Sequence, residues 1–544
     1  MNTAVLHLPP RVWLRPSLWL GALCLLAVTS PIWSIFLSLF QDYSPSWAHI
    51  RQYLLWDYLS GTLLLLFGVG IGAAVLGTSL AWITTMLEFP GRRLVEWAVL
   101  LPLAIPAYVL AFVYRGMPDL GFFPAVRDWS PYVAVIVIQS LNFYIYVYLF
   151  VRASFMQQSL CLLEAGRISG CGPWGCFFRL ALPLARLGIV AGIALALMES
   201  MNDFGTMNLF GTATLTTGVY RLWNGFGEIT TAAQLASMVV ICVLLLVGVE
   251  RWVRARKSYA PRRERQRRLP RYRLSGMQTV LVLAFVLVLL TLTTLWPVAN
   301  LLFWAVQAED YNWANDFGRP LWHSLSIAAM AVALLLGICL WLSYAQRWHN
   351  EPWLRAMIRL SAVGYAIPGV VLALGVYLTL QGAQNWVQSL WPADGALPDW
   401  LSTGIWASSI AALLLAYLVR FVNFGFSSVE AGLGKISRSL DDAARIAGAG
   451  PWRVFAMVHW HLLRNSLFAG AILIFVEVIK ELPATMLLRP FDYDTLAIRT
   501  YQLAADERLA EAAIPALAMV VCGLLAVAVF ARLLAEQSAQ KERG

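Results

Sequence analysis

Long apolar runs without Asp, Glu, Lys or Arg dominate the pattern of this chain. A membrane-spanning helix needs about 20 such residues, and ten runs come close to that length or exceed it. They are residues 16–41, 58–87, 97–114, 129–151, 229–249, 274–308, 320–346, 360–393, 400–419 and 512–531. Two further apolar runs, starting at residues 187 and 465, are interrupted by charged side chains. The pattern predicts an all-α polytopic membrane protein with twelve transmembrane helices.

The composition agrees with this prediction. Of 544 residues, 60% are hydrophobic and only 13% are charged, about half the roughly 25% that is typical of soluble domains. The mean hydropathy is +0.67. These values exclude a disordered chain, a secreted disulfide scaffold and an ordinary cytosolic enzyme. Seven Cys and six His show no zinc-binding spacing, and His459 and His461 would not share a helix face. We therefore assign no metal ligands.

A basic segment, residues 251–273, separates six predicted helices from the next six. Because cytoplasmic loops are rich in Lys and Arg, we predict a cytoplasmic linker that also contacts lipid headgroups, and no nucleic-acid partner. Both termini are then cytoplasmic, and the first apolar run is a retained helix in the cytoplasmic (inner) membrane. The predicted domains are a six-helix repeat (1–250), the linker, and a second six-helix repeat (274–544).

The two halves are related in sequence. The segment AIPAYVLA at 104–111 matches AIPGVVLA at 366–373, an offset of 262 residues. The segment EAGRISGCGPW at 164–174 matches DAARIAGAGPW at 442–452, an offset of 278 residues. Each repeat has an even number of predicted helices, so the copies have the same orientation in the membrane. Parallel repeats imply a pseudo-twofold axis along the membrane normal, with a pathway between the halves.

The second matched motif predicts two short cytoplasmic helices joined by a sharp turn. Glycine takes the left-handed conformation that ends a helix, and proline suits the first turn of the next helix. The motif resembles the "EAA" loop of ATP-binding-cassette importer permeases of the type I fold. In that family the loop docks on the ATPase subunit. The resemblance assigns this coupling role to Glu164, Ala165, Gly170 and Pro183 in the first copy, and to Asp442, Ala443 and Gly448 in the second.

ATP hydrolysis is expected on another chain. No GxxxxGK[ST] sequence occurs, and no nucleotide-binding domain fits between the spans. The chain is therefore predicted to be a transport subunit, not an enzyme, with no cofactor of its own. ATP and Mg belong to the partner, and two docking loops imply two ATPase subunits or an ATPase dimer.

Four acids interrupt the two broken helices: Glu199, Asp203, Glu477 and Glu481. At the offset of 278, Glu199 matches Glu477 and Asp203 matches Glu481. Their i, i+4 spacing predicts that each pair shares a helix face. Charged groups inside a membrane usually face a cavity or a partner, so these acids are candidates for a translocation pathway suited to a hard or an organic cation. The alternative is a structural role, such as pairing with Lys480.

The full chain resembles iron(III) importer permeases that work with a periplasmic ferric-binding protein. The resemblance is carried by residues 198–211, 216–223 and 480–509 and by the two AIP segments. It implies alternating access, with substrate delivered by a periplasmic binding protein. Thiamine, phosphonate and polyamine permeases share parts of these motifs and remain alternatives. So does an ion-driven secondary transporter, although the duplicated docking loops would then be unexplained.

Overall fold

A computed structural model describes residues 16–117, 126–156, 172–255, 271–309, 311–349, 351–391, 398, 406–448 and 450–543. These residues are almost entirely helical. The all-α fold predicted from the apolar runs is confirmed. The boundaries of the three predicted domains stay a prediction, and most of the linker lies outside the described residues.

The first repeat contains eleven helices among the described residues. They are α1 Pro16–Leu37, α2 Pro45–His49, α3 Leu55–Met86, α4 Arg92–Ala98, α5 Ala107–Arg115, α6 Pro131–Met156, α7 Pro173–Cys176, α8 Leu182–Asn202, α9 Phe204–Leu209, α10 Leu215–Tyr220 and α11 Ile229–Ala255.

The second repeat continues in the same order. Its helices are α12 Gly276–Leu290, α13 Trp296–Val306, α14 Arg319–His349, α15 Pro352–Ser361, α16 Gly369–Ser389, α17 Ile410–Leu433, α18 Arg438–Ile446, α19 Pro451–Val454, α20 Trp460–Lys480, α21 Pro483–Leu488, α22 Leu496–Ala505 and α23 Leu509–Arg543. Wider helical turns extend several of these helices, so that Gly276–Val306, for example, forms one continuous span.

Ten helices in the described part of the chain are long and apolar enough to cross a membrane. An eleventh is added if the pair Arg92–Ala104 and Ala107–Arg115, which is bent by 82°, counts as one span. The predicted count of twelve is therefore not reached by length and composition alone. The predicted run 400–419 also differs, because α17 begins only at Ile410, where Ser409 caps the Ala412 N–H at 3.1 Å.

The two AIP segments break the helices that contain them. The residue before a proline is restricted to extended conformations, and Ile105 (φ −101°, ψ 116°) and Ile367 (φ −81°, ψ 128°) both adopt one. Continuous spans at 97–114 and 360–393 were predicted, and this was wrong. Each run is a short helix, a 3₁₀ turn, an extended Ile-Pro step and a second helix.

The two repeats are interlocked at their outer helices. In the first repeat, α1 packs on α16 of the second repeat, where the Ser34 and Thr379 hydroxyls are 2.8 Å apart. In the second repeat, α13 packs on α5 of the first, and the Tyr114 hydroxyl donates to the Leu292 carbonyl at 2.6 Å. Each half is therefore clamped by a helix from the other.

The end of the basic linker is fixed to the first repeat. Strand β2, Tyr272–Arg273, pairs in parallel with strand β1, Leu87–Glu88, at the end of α3. Arg271 adds an ion pair to Glu88, with Nη1 3.0 Å from Oε2. The chain thus enters the second repeat from a position set by the first.

Candidate functional site: a charged cavity between the repeats

A cavity of about 100 Å³ lies between the two repeats. Its walls come from the first Ile-Pro step, α6 and α8 of the first repeat, and from α17, α20 and the turn after α20 of the second. The charged side chains at its wall are Glu199, Asp203, Arg420, Glu477, Lys480 and Glu481. The four carboxylates that the sequence singled out therefore meet in one place.

The acids of each pair do not share a helix face. Helix α8 ends at Asn202 and α20 ends at Lys480. Asp203 (φ −79°, ψ 68°) and Glu481 (φ −68°, ψ 121°) therefore lie just beyond the helices in non-helical conformations. The prediction of i, i+4 pairs on one face was wrong, because the helical geometry stops one residue before the second acid.

Asp203 holds the start of the next short helix, α9. Its Oδ1 accepts from the Thr206 N–H at 3.2 Å, as expected of an N-cap residue. Its Oδ2 accepts from Gln139 Nε2 at 3.0 Å. Gln139 in turn accepts from the Ser200 hydroxyl at 2.6 Å. Asp203 is thus part of a polar network that orients α9.

Glu481 has the equivalent position before α21 and is more tightly held. Its carboxylate accepts from the N–H groups of Ala484 at 3.0 Å and Thr485 at 2.8 Å, and from the Thr485 hydroxyl. Arg420 Nη1 lies 3.2 Å from Oε1. The Glu481 side chain is 1% exposed. Such a group is a helix cap and ion-pair partner whose bonding capacity is already used.

Glu199 and Glu477 are held less firmly. Glu199 accepts a hydrogen bond from the hydroxyl of Tyr365, which belongs to the other repeat. Glu477 Oε1 lies 3.5 Å from Lys480 Nζ, and its side chain is 28% exposed. Among the described residues, each of these carboxylates has one polar partner. They retain lone pairs that can bind a cation in the cavity.

The sequence reasoning missed Arg420. It was taken as the polar end of the run 400–419, whereas α17 continues through it to Leu433 and buries it, leaving it 6% exposed. One signal was present: at the offset of 278, Arg420 corresponds to Asn142, which lies in the middle of a helix and lines the same cavity. Acids in the cavity therefore face two cations, Arg420 and Lys480, and outnumber them by two.

The last residues of α8 and α20 reach across to the opposite repeat. Asn202 Oδ1 accepts from the Gly369 N–H at 2.9 Å, at the start of α16. Lys480 Nζ donates to the Leu103 carbonyl at 2.9 Å. Asn202 and Lys480 are equivalent at the offset of 278, and both partners belong to the AIP regions. The ends of α8 and α20 thus form hydrogen bonds with the opposite half at the cavity wall.

The structure describes more of the second predicted coupling loop than of the first. Glu164, Ala165 and Gly170 lie outside the described residues, and Pro183 is in the first turn of α8. In the second copy Asp442 and Ala443 are exposed on α18. Gly448 follows this helix with φ +77°, a left-handed conformation that glycine adopts without steric cost. The first short helix and the turn predicted for this motif are present in the second repeat, whereas the second helix is not a separate short one, because the chain from Pro451 to Lys480 is helical without a break.

Within the described part of the chain, no group of three or more His, Cys, Asp and Glu side chains is arranged to hold a metal ion. The structure combines a cavity at the interface between two halves, carboxylates with unused lone pairs, and a helical projection from the second half. These features define a membrane transport subunit.

The comparisons with known proteins specify the family. A family model described as "Binding-protein-dependent transport system inner membrane component" matches residues 73–259 and again residues 343–538. The chain belongs to this family, as a tandem of two copies. It is therefore an importer permease of the inner membrane, a non-enzymatic subunit that works with a binding protein and an ATPase. Membership in the family argues against an ion-driven secondary transporter.

Several curated relatives are similar over one or both repeats. An iron(III) transport system permease protein of Haemophilus influenzae, FbpB 2, is 26% identical over 473 residues, 85% of this chain and 87% of that protein. The molybdenum transport permease ModB of Escherichia coli is 27% identical over 192 residues, 32% of this chain and 83% of that protein. The sulfate permease CysW of the same organism is 26% identical over 189 residues, 31% of this chain and 64% of that protein.

Proposed function

We propose that this chain forms the pathway of an iron(III) importer, and that Glu199 and Glu477 face the cation as it passes between the repeats. The observation that carries the proposal is the excess of carboxylates in the cavity, two of which have a single polar partner among the described residues. Iron(III) is a hard cation and prefers oxygen ligands.

The charge of the cavity favours a cation over an oxyanion. Molybdate and sulfate would be repelled by carboxylates that outnumber the nearby bases. The bases are also already engaged, since Arg420 is 3.2 Å from Glu481 and Lys480 is 3.5 Å from Glu477. The relatives named for molybdenum and sulfate match about a third of this chain, whereas the relative named for iron matches both repeats.

The proposed mechanism is alternating access. A periplasmic ferric-binding protein delivers iron to the outer face, and the carboxylates of Glu199 and Glu477 replace part of the oxygen ligands that the ion loses. Rocking of the two repeats then exposes the cavity to the cytoplasm. Because Tyr365, Gly369 and Leu103 contact the acids and helix ends across the interface, a change in the angle between the repeats changes the shape of the cavity.

Energy is proposed to enter through the two cytoplasmic loops. Two ATPase subunits bind ATP and Mg and dock on the loops that contain Glu164 and Asp442, with both termini of this chain on the same side. An exposed apolar side chain at the end of α18 supports a protein partner there, because Ile446, the last residue of this helix, is 88% exposed. No cofactor is assigned to this chain.

Uptake of labelled iron(III) tests the substrate. Cells that lack this chain are compared with complemented cells, with labelled molybdate, sulfate and thiamine measured alongside and with phosphonate and polyamine as further probes. We expect iron uptake alone to depend on the chain. Dependence of any other probe, with iron unaffected, would replace iron as the substrate while leaving the importer assignment in place.

A matched pair of variants tests the two acids. Glu199→Gln and Glu477→Gln keep the side-chain volume and remove the charge, and we expect each to slow iron uptake at least about tenfold, because a lost charged contact costs about 1.5–3 kcal/mol. Asp203→Asn is the control, since an amide oxygen can still cap α9. Iron uptake that is unchanged in both Gln variants would assign these acids a structural role.

A further inference from the structure

A buried polar cluster lies beside the second coupling helix, outside the cavity. Asp441 is in the first turn of α18 and only 13% of its side chain is exposed. Its Oδ2 lies 2.8 Å from both Nε and Nη2 of Arg347 on α14. Its Oδ1 accepts from His459 Nε2 at 2.7 Å, and His459 has no exposed side-chain surface. We name Arg347, Asp441, His459 and Tyr344 the clasp.

The clasp joins four helices. Besides Asp441, Arg347 donates to the carbonyls of Leu433 at 3.2 Å and Ile436 at 3.1 Å, at the end of α17 and in the turn that follows. On the other side of the ring, Nδ1 of His459 is hydrogen-bonded to the hydroxyl of Tyr344 on α14. A planar guanidinium that binds a carboxylate and two carbonyls at once fixes their relative positions.

The clasp is connected to the cavity by one continuous helix. His459 ends the wide turn that leads directly into α20, and α20 carries Glu477 and Lys480 near its other end. His459 and Glu477 are 18 positions apart, which corresponds to about 27 Å at 1.5 Å per residue. A displacement of α18 that moves Asp441 therefore pulls on the base of the helix that forms the cavity wall.

The first repeat has no equivalent charges. At the two repeat offsets, Tyr344 corresponds to Trp82, Arg347 to Thr85, His459 to Ala181 and Asp441 to Leu163. Trp82 packs on Phe177 with ring centroids 4.9 Å apart, and Tyr344 packs on the equivalent Phe455 at 5.4 Å. The aromatic contact is thus common to both halves, whereas the side chains of the clasp occur only in the second.

We propose that the clasp positions the second coupling helix on α20 and transmits its movement to the cavity, so that the two coupling loops are mechanically unequal. This rests on the proposed docking of an ATPase at α18, and it is independent of which substrate is carried. Asp441 and His459 are positioning residues in this scheme. They do not contact the substrate.

The test uses the complete importer, reconstituted in proteoliposomes with its ATPase and binding protein. Asp441→Asn and His459→Gln each remove part of the clasp, and Thr85→Ala is the matched control at the position of Arg347 in the first repeat. The readout is substrate transported per ATP hydrolysed, measured with the melting temperature of each variant. We expect this ratio to fall about fivefold or more in both clasp variants, the usual range of coupling between sites, and to stay unchanged in the control.

The double variant Asp441→Asn/His459→Gln should be no worse than either single variant, because the clasp acts as one unit. An unchanged transport ratio in both single variants would overturn the proposal. So would a loss of uptake that follows only the loss of folded protein, with the ratio preserved. If the unmodified importer shows no ATP-driven uptake, the proposed function has failed, and that result is separate from any effect of the clasp variants.

Discussion

The ion pair between Arg420 and Glu481 allows a test of whether Glu481 has a structural role or a transport role at the cavity. Replacement of Arg420 with Met removes the cation and leaves the Glu481 carboxylate, 1% exposed, without its counter-ion. Loss of one partner of a buried pair costs about 3–5 kcal/mol. Glu481 keeps the Ala484 and Thr485 N–H groups, so we expect the low end, about 3 kcal/mol. In the double variant R420M/E481Q no charge is stranded, and the cost should fall to about 1 kcal/mol.

The free energy of unfolding is measured by titration of the purified protein from mild detergent into dodecyl sulfate micelles. Arg508→Met is the control, because Arg508 and Glu511 form an exposed pair, with side chains 47% and 20% exposed, and surface pairs contribute about 0–1 kcal/mol. If R420M is no less stable than this control, or if the double variant is as unstable as R420M, then Glu481 is not held as the geometry implies and belongs with the acids that face the substrate.

Two further predictions concern the second coupling loop. Gly448 has φ +77°, so G448A should strain the loop and weaken ATPase binding by about 1–2 kcal/mol. G448N should weaken binding less and G450A should leave it unchanged, because both sites have space for a side chain and only Gly448 of the two is left-handed. Equal dissociation constants for G448A and G450A would contradict this prediction. Partial burial raises the pKa of the Asp441 carboxyl, but the hydrogen bonds from Arg347 and His459 more than offset it, so the pKa is lowered overall. A carboxyl whose pKa is lowered on folding stabilises the protein above its pKa in the unfolded chain, and this stability is lost as the pH falls below that value. The difference in melting temperature between wild type and D441N should therefore be retained from pH 7 to pH 5 and shrink only below about pH 4. A difference that vanishes at pH 5 would argue against an ionised Asp441.

The apolar runs predicted most of the spans because burial in lipid requires long uninterrupted apolar helices. The apolar runs did not predict the helix breaks at Ile105 and Ile367, because hydropathy carries no information on where the backbone bends. The two AIP segments served to align the repeats and as part of the family resemblance, but not to predict a helix break. Their prolines already contained the signal for the break, since a proline restricts the preceding residue and removes one backbone donor.

The four cavity acids were also predicted only in part. Composition and the repeat offset identified the four carboxylates that line one cavity, because charges inside an apolar run need a polar environment. Which of them cap helices depends on where α8 and α20 end, and that is decided by tertiary contacts. Asn202 and Lys480 reach across the interface at these helix ends, and no local pattern in the sequence contains that contact.

The two repeats of this chain carry different side chains at several equivalent positions, which two identical subunits could not do. The acids occur in both halves, at Glu199 and Glu477, but both cavity bases belong to the second repeat: Arg420 and Lys480 correspond to Asn142 and Asn202 in the first. Glu477 lies beside Lys480, whereas Glu199 accepts only from a neutral phenol among the described residues. The charge of the cavity is therefore asymmetric, with the less compensated carboxylate on the first repeat and the bases on the second.

The clasp is also confined to the second repeat. Two identical subunits related by a twofold axis would have to carry every such group twice, whereas a single chain can place the less compensated acid in one half and the clasp in the other.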